Sequence, residues 1–107
     1  MALSGRYALI YDRDVREHLA QISRRYYSMI RRTLEGSLSY EPEVETQNRK
    51  PLSRPSVLGM VWELRFGPNN RFRTFYRTDH QLMEVYILAI GVKRGNRLFI
   101  GIEEFEL

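Results

Sequence analysis

The sequence predicts an α+β fold: a twisted, mainly antiparallel sheet of four or five strands with two N-terminal helices packed on one face. Apolar residues in the first third fall at helical spacing. Segments in the second half alternate apolar and polar residues or run apolar throughout, as strands do. Turn chemistry separates those segments by only a few residues, so hairpins rather than helical crossovers join them. That order places the helices on one face of the sheet and leaves the other face partly open as the candidate site.

Residues 6–11 (RYALIY) read as a short strand, apolar on both sides and therefore expected inside the sheet. Asp14 stands three residues before Glu17, a capping-box-like spacing that predicts a helix start. Val15, Leu19, Ile22, Tyr26, Ile30 and Leu34 then share one helical face, and Gly36 supplies a stop. Ser23 can cap a second helix, which leaves either one bent helix or a helical hairpin. Residues 37–58 carry Pro42, Pro51 and Pro55 among Ser, Glu and Asn and read as a long connection. Connections of this length are often functional, so Asn48-Arg49-Lys50-Pro51 is a candidate binding segment.

Residues 60–66 (MVWELRF) alternate Met60, Trp62, Leu64 and Phe66 against Val61, Glu63 and Arg65, the pattern of a half-buried strand. Gly67-Pro68-Asn69-Asn70 is turn chemistry. Residues 71–78 alternate again, with Arg71, Arg73, Phe75 and Arg77 on one side and Phe72, Thr74 and Tyr76 on the other. After the turn at Asp79-His80-Gln81, residues 83–92 are apolar almost throughout, as an interior strand is. Gly95-Asn96 turns the chain into a last short strand, residues 97–101, followed by the acidic end Glu103-Glu104-Phe105-Glu106.

The 107 residues suffice for one domain and one modest core. With no cysteine there is no disulfide framework, thiol nucleophile or cysteine metal site, which suits a reducing cytoplasm. Residues 1–6 lack a signal-peptide run, and no apolar stretch approaches the roughly 20 residues that span a bilayer. The net charge of +4 and pI near 9.7 favour an anionic partner. Of the 17 basic residues only Lys50 and Lys93 are lysine, and guanidinium pairs two-pronged with phosphate or carboxylate. A GC-rich genome raises arginine equally well. The excess concentrates between Arg49 and Arg97, where Glu63, Asp79 and Glu84 are the only acids.

Catalytic motifs of the familiar kinds are missing. His18 and His80 are isolated, no metal-ligand spacing occurs, and no nucleophile elbow or Gly-rich phosphate loop is present. Surface or packing roles are expected for both histidines, and neither a metal nor a small-molecule cofactor. What remains is the stripe Arg71, Arg73 and Arg77, joined from the neighbouring strand by Glu63 and Arg65. Three like charges on one strand face repel unless carboxylates or a polyanion offset them. The stripe is either a phosphate-binding face or a solvated strand face with incidental charges.

Trp62-Glu63-Leu64-Arg65, a hairpin, Arg71-Phe72-Arg73-Thr74-Phe75-Tyr76 and an apolar strand ending Gly91-Val92-Lys93-Arg94 resemble the second half of RelE-type toxins, within the RelE/ParE superfamily. The resemblance covers the second to fourth strands well and the helical half by order of elements. It implies a single RelE-like toxin domain over residues 1–107 from a type II toxin–antitoxin system. RelE-branch members cut mRNA in the ribosomal decoding site and so block translation, a bacterial stress response. The ribonucleotide 2′-hydroxyl attacks the adjacent phosphate, which requires a base, cations for the developing dianion and an acid for the leaving oxygen.

Carried over by position, the phosphate-stabilising arginine is Arg73, with Arg71 beside it, and the basic residue after the last long strand is Lys93 or Arg94. Glu63 is the best available base, the alternatives being a lysine in an unusual state or no nuclease activity at all. Arg49, Lys50, Arg65, Arg77 and Arg97 complete the expected RNA-binding set. One departure stands out: where many members carry a proton-exchanging tyrosine or histidine, this chain has Phe99. That departure fits the ParE branch, which shares the fold and poisons DNA gyrase; an inert basic binding domain is the third reading. The implied partners are a cognate antitoxin, the ribosome and mRNA, in the cytoplasm and without a membrane. Tyr26, Tyr27, Met29 and Ile30 form a candidate apolar groove for the antitoxin, or are simply core.

Overall fold

A computed structural model describes residues 5–52 and 60–106. Strand β1 (Ala8–Tyr11) leads into helix α1 (Val15–Ala20), a 3-10 turn (Arg24–Tyr26) and helix α2 (Tyr27–Leu38). Then come β2 (Arg49–Pro51), β3 (Trp62–Phe66), β4 (Phe72–Asp79), β5 (Glu84–Arg94), β6 (Arg97–Ile100) and β7 (Glu103–Glu106). They make a seven-stranded sheet, antiparallel in the order β2-β3-β4-β5-β6-β7, with β1 added in parallel to β5.

The α+β, mainly antiparallel architecture agrees with the sequence, while the strand count exceeds the four or five expected. The two extra strands come from segments with poor strand propensity. β2 lies inside the expected connection, and its three residues pair with β3 through Arg49↔Leu64, Lys50↔Glu63 and Pro51↔Trp62. β7 is the acidic end, folded back onto β6 through a turn with Gly101 at φ 64°. Both are made strands by a partner, not by their own residues.

β1 differs from the expectation of an interior strand. It pairs with β5 from Ala8↔Glu84 to Tyr11↔Ile87 and has no second strand partner among the described residues, leaving Ile10 40% and Tyr11 43% exposed. β5 is longer than either neighbour on that edge: β1 occupies its residues 84–87 and β6 its residues 91–94. The gap coincides with a bulge, because the β4 register steps from Phe75↔Ala89 to Tyr76↔Ile87 and skips Leu88. The bulge resets the alternation, so Val85 and Ile87 before it and Ile90 and Val92 after it are all buried. Helix α1 fills the gap, with the Ile90 amide donating to His18 Nδ1 at 3.3 Å.

The helical half forms the expected face in two pieces. Val15, Ile22, Ile30, Leu34 and Leu38 join Trp62, Leu64, Phe66, Phe72, Tyr76, Val85, Ile87, Ile90 and Val92 in one core. Asp14 does precede the first helix, but its carboxylate makes no capping hydrogen bond; Asp12 Oδ1 instead accepts the Asp14 amide at 2.9 Å. The extended backbone of Ser23 (ψ 134°) separates the pieces, which selects the hairpin alternative. α2 runs past Gly36 to Leu38, since burying Leu38 four residues after Leu34 outweighs the glycine.

The connection after α2 is pinned rather than loose. Arg49 donates to the carbonyls of Ser37 (2.6 Å), Glu41 (2.7 Å) and Val44 (3.2 Å), tying the last turn of α2 to the chain that follows. Tyr76 Oη donates to the Pro42 carbonyl at 2.6 Å, and burial pushes this phenol well above its ordinary pKa, so it stays a donor. Residues 53–58 of the expected connection lie outside the described residues.

Two substitutions test this framework. His18→Ala leaves the Ile90 amide without its acceptor and is expected to destabilise the fold by about 1–3 kcal/mol in urea denaturation. Arg49→Lys keeps the charge but loses the fork that spans three carbonyls, and a loss of similar size, about 1–3 kcal/mol, is expected. Wild-type midpoints would show that neither contact holds the sheet to its helices.

Candidate nucleic-acid interface

The sheet face opposite the core was the expected site, and its arginines have separate fates. On β3 and β4 the alternation that buries Trp62, Leu64, Phe72 and Tyr76 directs Glu63, Arg65, Arg73 and Arg77 to the other side. Arg65 lies directly across from Arg73, a repulsive register unless something intervenes. Glu63 intervenes. Its Oε2 lies 3.2 Å from Arg73 Nη1 and its Oε1 3.6 Å from Arg65 Nε, so one carboxylate serves two guanidiniums.

Arg73 is only 5% exposed and Glu63 7%, which corrects the expectation of an open arginine stripe with Glu63 free as a base. At that depth an unpaired charge carries a desolvation penalty of several kcal/mol, and the pairing is what makes the burial tolerable. Arg73 Nε also reaches the Asn70 carbonyl at 3.4 Å. Arg77 lies over the Tyr86 ring, 4.3 Å from its centroid. Arg49 is turned inward onto carbonyls, as described above, and Arg97 on β6 is paired with Glu104. Lys50 remains exposed on β2, and Arg65 is partly exposed.

Arg71 leaves the stripe altogether. It has helical backbone (φ −75°, ψ −21°) at the end of a 3-10 turn, Pro68–Asn70, and so precedes the alternation of β4. That turn requires glycine at its start, because Gly67 has φ 83° and a Cβ there would lie 2.4 Å from a Phe72 ring carbon. The Arg71 backbone carbonyl accepts from the Lys93 amide at 2.6 Å, which locks the turn to the end of β5.

An open groove of about 610 Å³ results, and it brings Arg71, Lys93 and Arg94 together with Arg25. No carboxylate lines it among the described residues. Tyr26 stands at its helical wall. The Arg25 guanidinium lies 4.8 Å from the Tyr26 ring centroid and donates to its Oη at 2.8 Å, while Arg71 lies 5.8 Å from the same centroid. The ring is in turn braced edge-to-face on Phe72, at 5.2 Å and 63°. Arg94 lies 5.4 Å from the Phe99 centroid. Cations from three elements thus share one open groove with no carboxylate among its described lining residues, an arrangement chemically able to hold a polyanion.

Arg25 was not legible as a site residue, and Tyr26 was legible only as part of an apolar antitoxin groove or of the core. Tyr26 falls on the apolar helical face, and the one local signal was the basic pair Arg24-Arg25 beside the break at Ser23. Of the two readings of Tyr26, Tyr27, Met29 and Ile30, an apolar groove or simply core, the packing favours core. Ile30 is in the core, Tyr26, Tyr27 and Met29 pack against it, and Tyr27 Oη donates to the Leu19 carbonyl at 2.5 Å.

No family model matches the chain, and no curated protein matches it either. Among solved structures, a chain of the toxin–antitoxin complex RelBE2 from Mycobacterium tuberculosis is similar, with a TM-score of 0.68 and 25% identity over 87% of this chain and 98% of that one. The fold is RelE-like. At that coverage the likeness takes in helical residues as well as the strands whose motifs carry the sequence resemblance. In this chain the strand-rich half supplies Arg71, Lys93 and Arg94 to the groove, and the helical half supplies Arg25 and Tyr26.

The Glu63–Arg73 pair makes a stability prediction. Arg73→Ala strands a buried carboxylate and should cost about 3–5 kcal/mol, whereas Arg73→Leu combined with Glu63→Leu should recover most of that loss. Urea denaturation of the single and double variants measures it. An Arg73→Ala protein as stable as the wild type would mean that Arg73 is free for a ligand.

Proposed function

We propose that this chain is the toxin of a toxin–antitoxin pair and that it cleaves ribosome-bound mRNA, without metal, through the basic groove. The observation that carries the reading is the convergence of Arg25, Arg71, Lys93 and Arg94 on one open groove with no carboxylate in its described lining. Similarity to a chain of a toxin–antitoxin complex supports the toxin role and a cognate antitoxin partner.

The chemistry follows from the charges. Attack of a 2′-hydroxyl on the neighbouring phosphate builds a second negative charge on the phosphorane oxygens. Preorganised cations that meet that charge lower the barrier without reorganising. Arg71 and Arg94 act as two-pronged phosphate ligands and Lys93 as a point charge between them. Arg73 and Glu63 brace the strands from which Arg71 emerges. Exposed Lys50 and partly exposed Arg65 supply outlying contacts to the RNA backbone, with the ribosome holding the message in line. Among the described residues no helix is long and apolar enough to cross a membrane, and the proposed site of action is the bacterial cytoplasm.

One observation favours a second reading. Phe99 beneath Arg94 has no proton to exchange, which suits a RelE-like protein that poisons gyrase instead of cutting RNA.

A bacterial cell-free translation reaction separates the two, with message ends mapped by primer extension. Cuts within codons that depend on ribosomes are expected, and Arg71→Ala should reduce them roughly 10²-fold while leaving stability within about 0.5 kcal/mol of wild type. Intact message with normal protein synthesis would overturn the nuclease reading, and a supercoiling assay would then test gyrase.

A further inference from the structure

We propose that Tyr26 is the proton donor of the groove, giving its phenolic proton to the 5′-oxygen that leaves when the RNA strand breaks. The inference rests on the nuclease reading above and assigns the acid that the reaction needs and Phe99 does not supply.

The groove lining narrows the choice. Arginine keeps its proton at any working pH, and the Ser23 hydroxyl is far too weak an acid, so Arg25, Arg71, Arg94 and Ser23 are excluded. Lys93 and Tyr26 remain. Proton loss from Lys93 would remove a positive charge just as the phosphate gains a negative one. Tyr26 begins neutral, and the charge it acquires forms among guanidiniums: Arg25 is hydrogen-bonded to its Oη at 2.8 Å, and Arg71 lies 5.8 Å from its ring.

Geometry adds a second argument. Arg25 donates to the phenol oxygen and occupies a lone pair, so the O–H itself is left to donate elsewhere. No acceptor for it is present among the described residues. The ring is braced by its edge-to-face contact with Phe72, which keeps Tyr26 in the groove lining that it shares with Lys93 and Arg94.

In the step itself the 2′-oxygen–phosphorus bond forms as the phosphorus–5′-oxygen bond breaks. The 2′-hydroxyl proton goes to water, the Tyr26 proton goes to the 5′-oxygen, and the phenolate recovers a proton from water. The products are a 2′,3′-cyclic phosphate and a 5′-hydroxyl end.

The test uses ribosomes carrying a synthetic message with either the ordinary linkage or one whose leaving 5′-oxygen is replaced by sulfur, since a thiolate departs without a proton. Tyr26→Phe keeps the ring on Phe72 and removes only the hydroxyl. It should cleave the ordinary linkage with kcat roughly 10²-fold lower and KM unchanged, and the sulfur linkage at the wild-type rate. Equal cleavage of the ordinary linkage by the variant and wild type overturns the proposal. An equal loss on both linkages also overturns it, because the hydroxyl would then serve only to place Arg25. Wild-type protein that cleaves neither linkage defeats the nuclease reading itself and takes this proposal with it.

Discussion

Strand β5 hydrogen-bonds to β4 along one edge and, along the other, first to β1 and then to β6, with His18 of α1 closing the gap between them. This double-edged pairing is the constraint on which the rest of the molecule depends. It joins the chain's first strand to its second half and fixes where α1 can sit. It also contains the bulge at Leu88, without which Ile90 and Val92 would face away from the helices. The same strand ends at Lys93 and Arg94, whose position at the groove is therefore set by a ladder spanning the whole sheet.

Arginine takes opposite roles in this fold according to what surrounds it. Arg49 meets carbonyls on three sides and becomes a clamp. Arg73 meets Glu63 and becomes half of a buried pair. Arg71, two residues before Arg73, meets no carboxylate among the described residues and stands at the groove. Their chemistry is identical, and the difference is one of compensation. A guanidinium offset by internal acceptors is spent on stability, while one left without them remains available to an external anion.

The groove also explains why a helical hairpin serves a sheet-based site. The break at Ser23 turns Arg25 and Tyr26 toward the end of β5, and Phe72 from the sheet supports the tyrosine ring from below. A continuous helix would carry Arg25 elsewhere. Local irregularity in the helices and in the Gly67–Asn70 turn thus does what neither regular element does alone. It brings cations from distant parts of the chain to one groove.

Much of the architecture was legible because alternation and helical spacing are local and strong: the faces of β3 and β4, the helical core residues and the order of elements all follow from them. β2 and β7 were not legible, because Arg49-Lys50-Pro51 and Glu103-Glu104 have no strand preference of their own and exist as strands only through β3 and β6. β1 reads as interior from RYALIY, yet a run of apolar residues carries no record of how many neighbours it will find. For the site, the sequence by itself determined that an arginine-rich second half would need an anion or internal counterions, and named Arg73 first, with Arg71, Lys93, Arg94 and Glu63, as candidates, of which Arg73 and Glu63 are buried as a pair. Only the tertiary structure decided which arginines are neutralised and which stay open, and that Arg25 and Tyr26 complete the groove, because burial and charge pairing arise between residues far apart in the chain and leave no mark on local pattern.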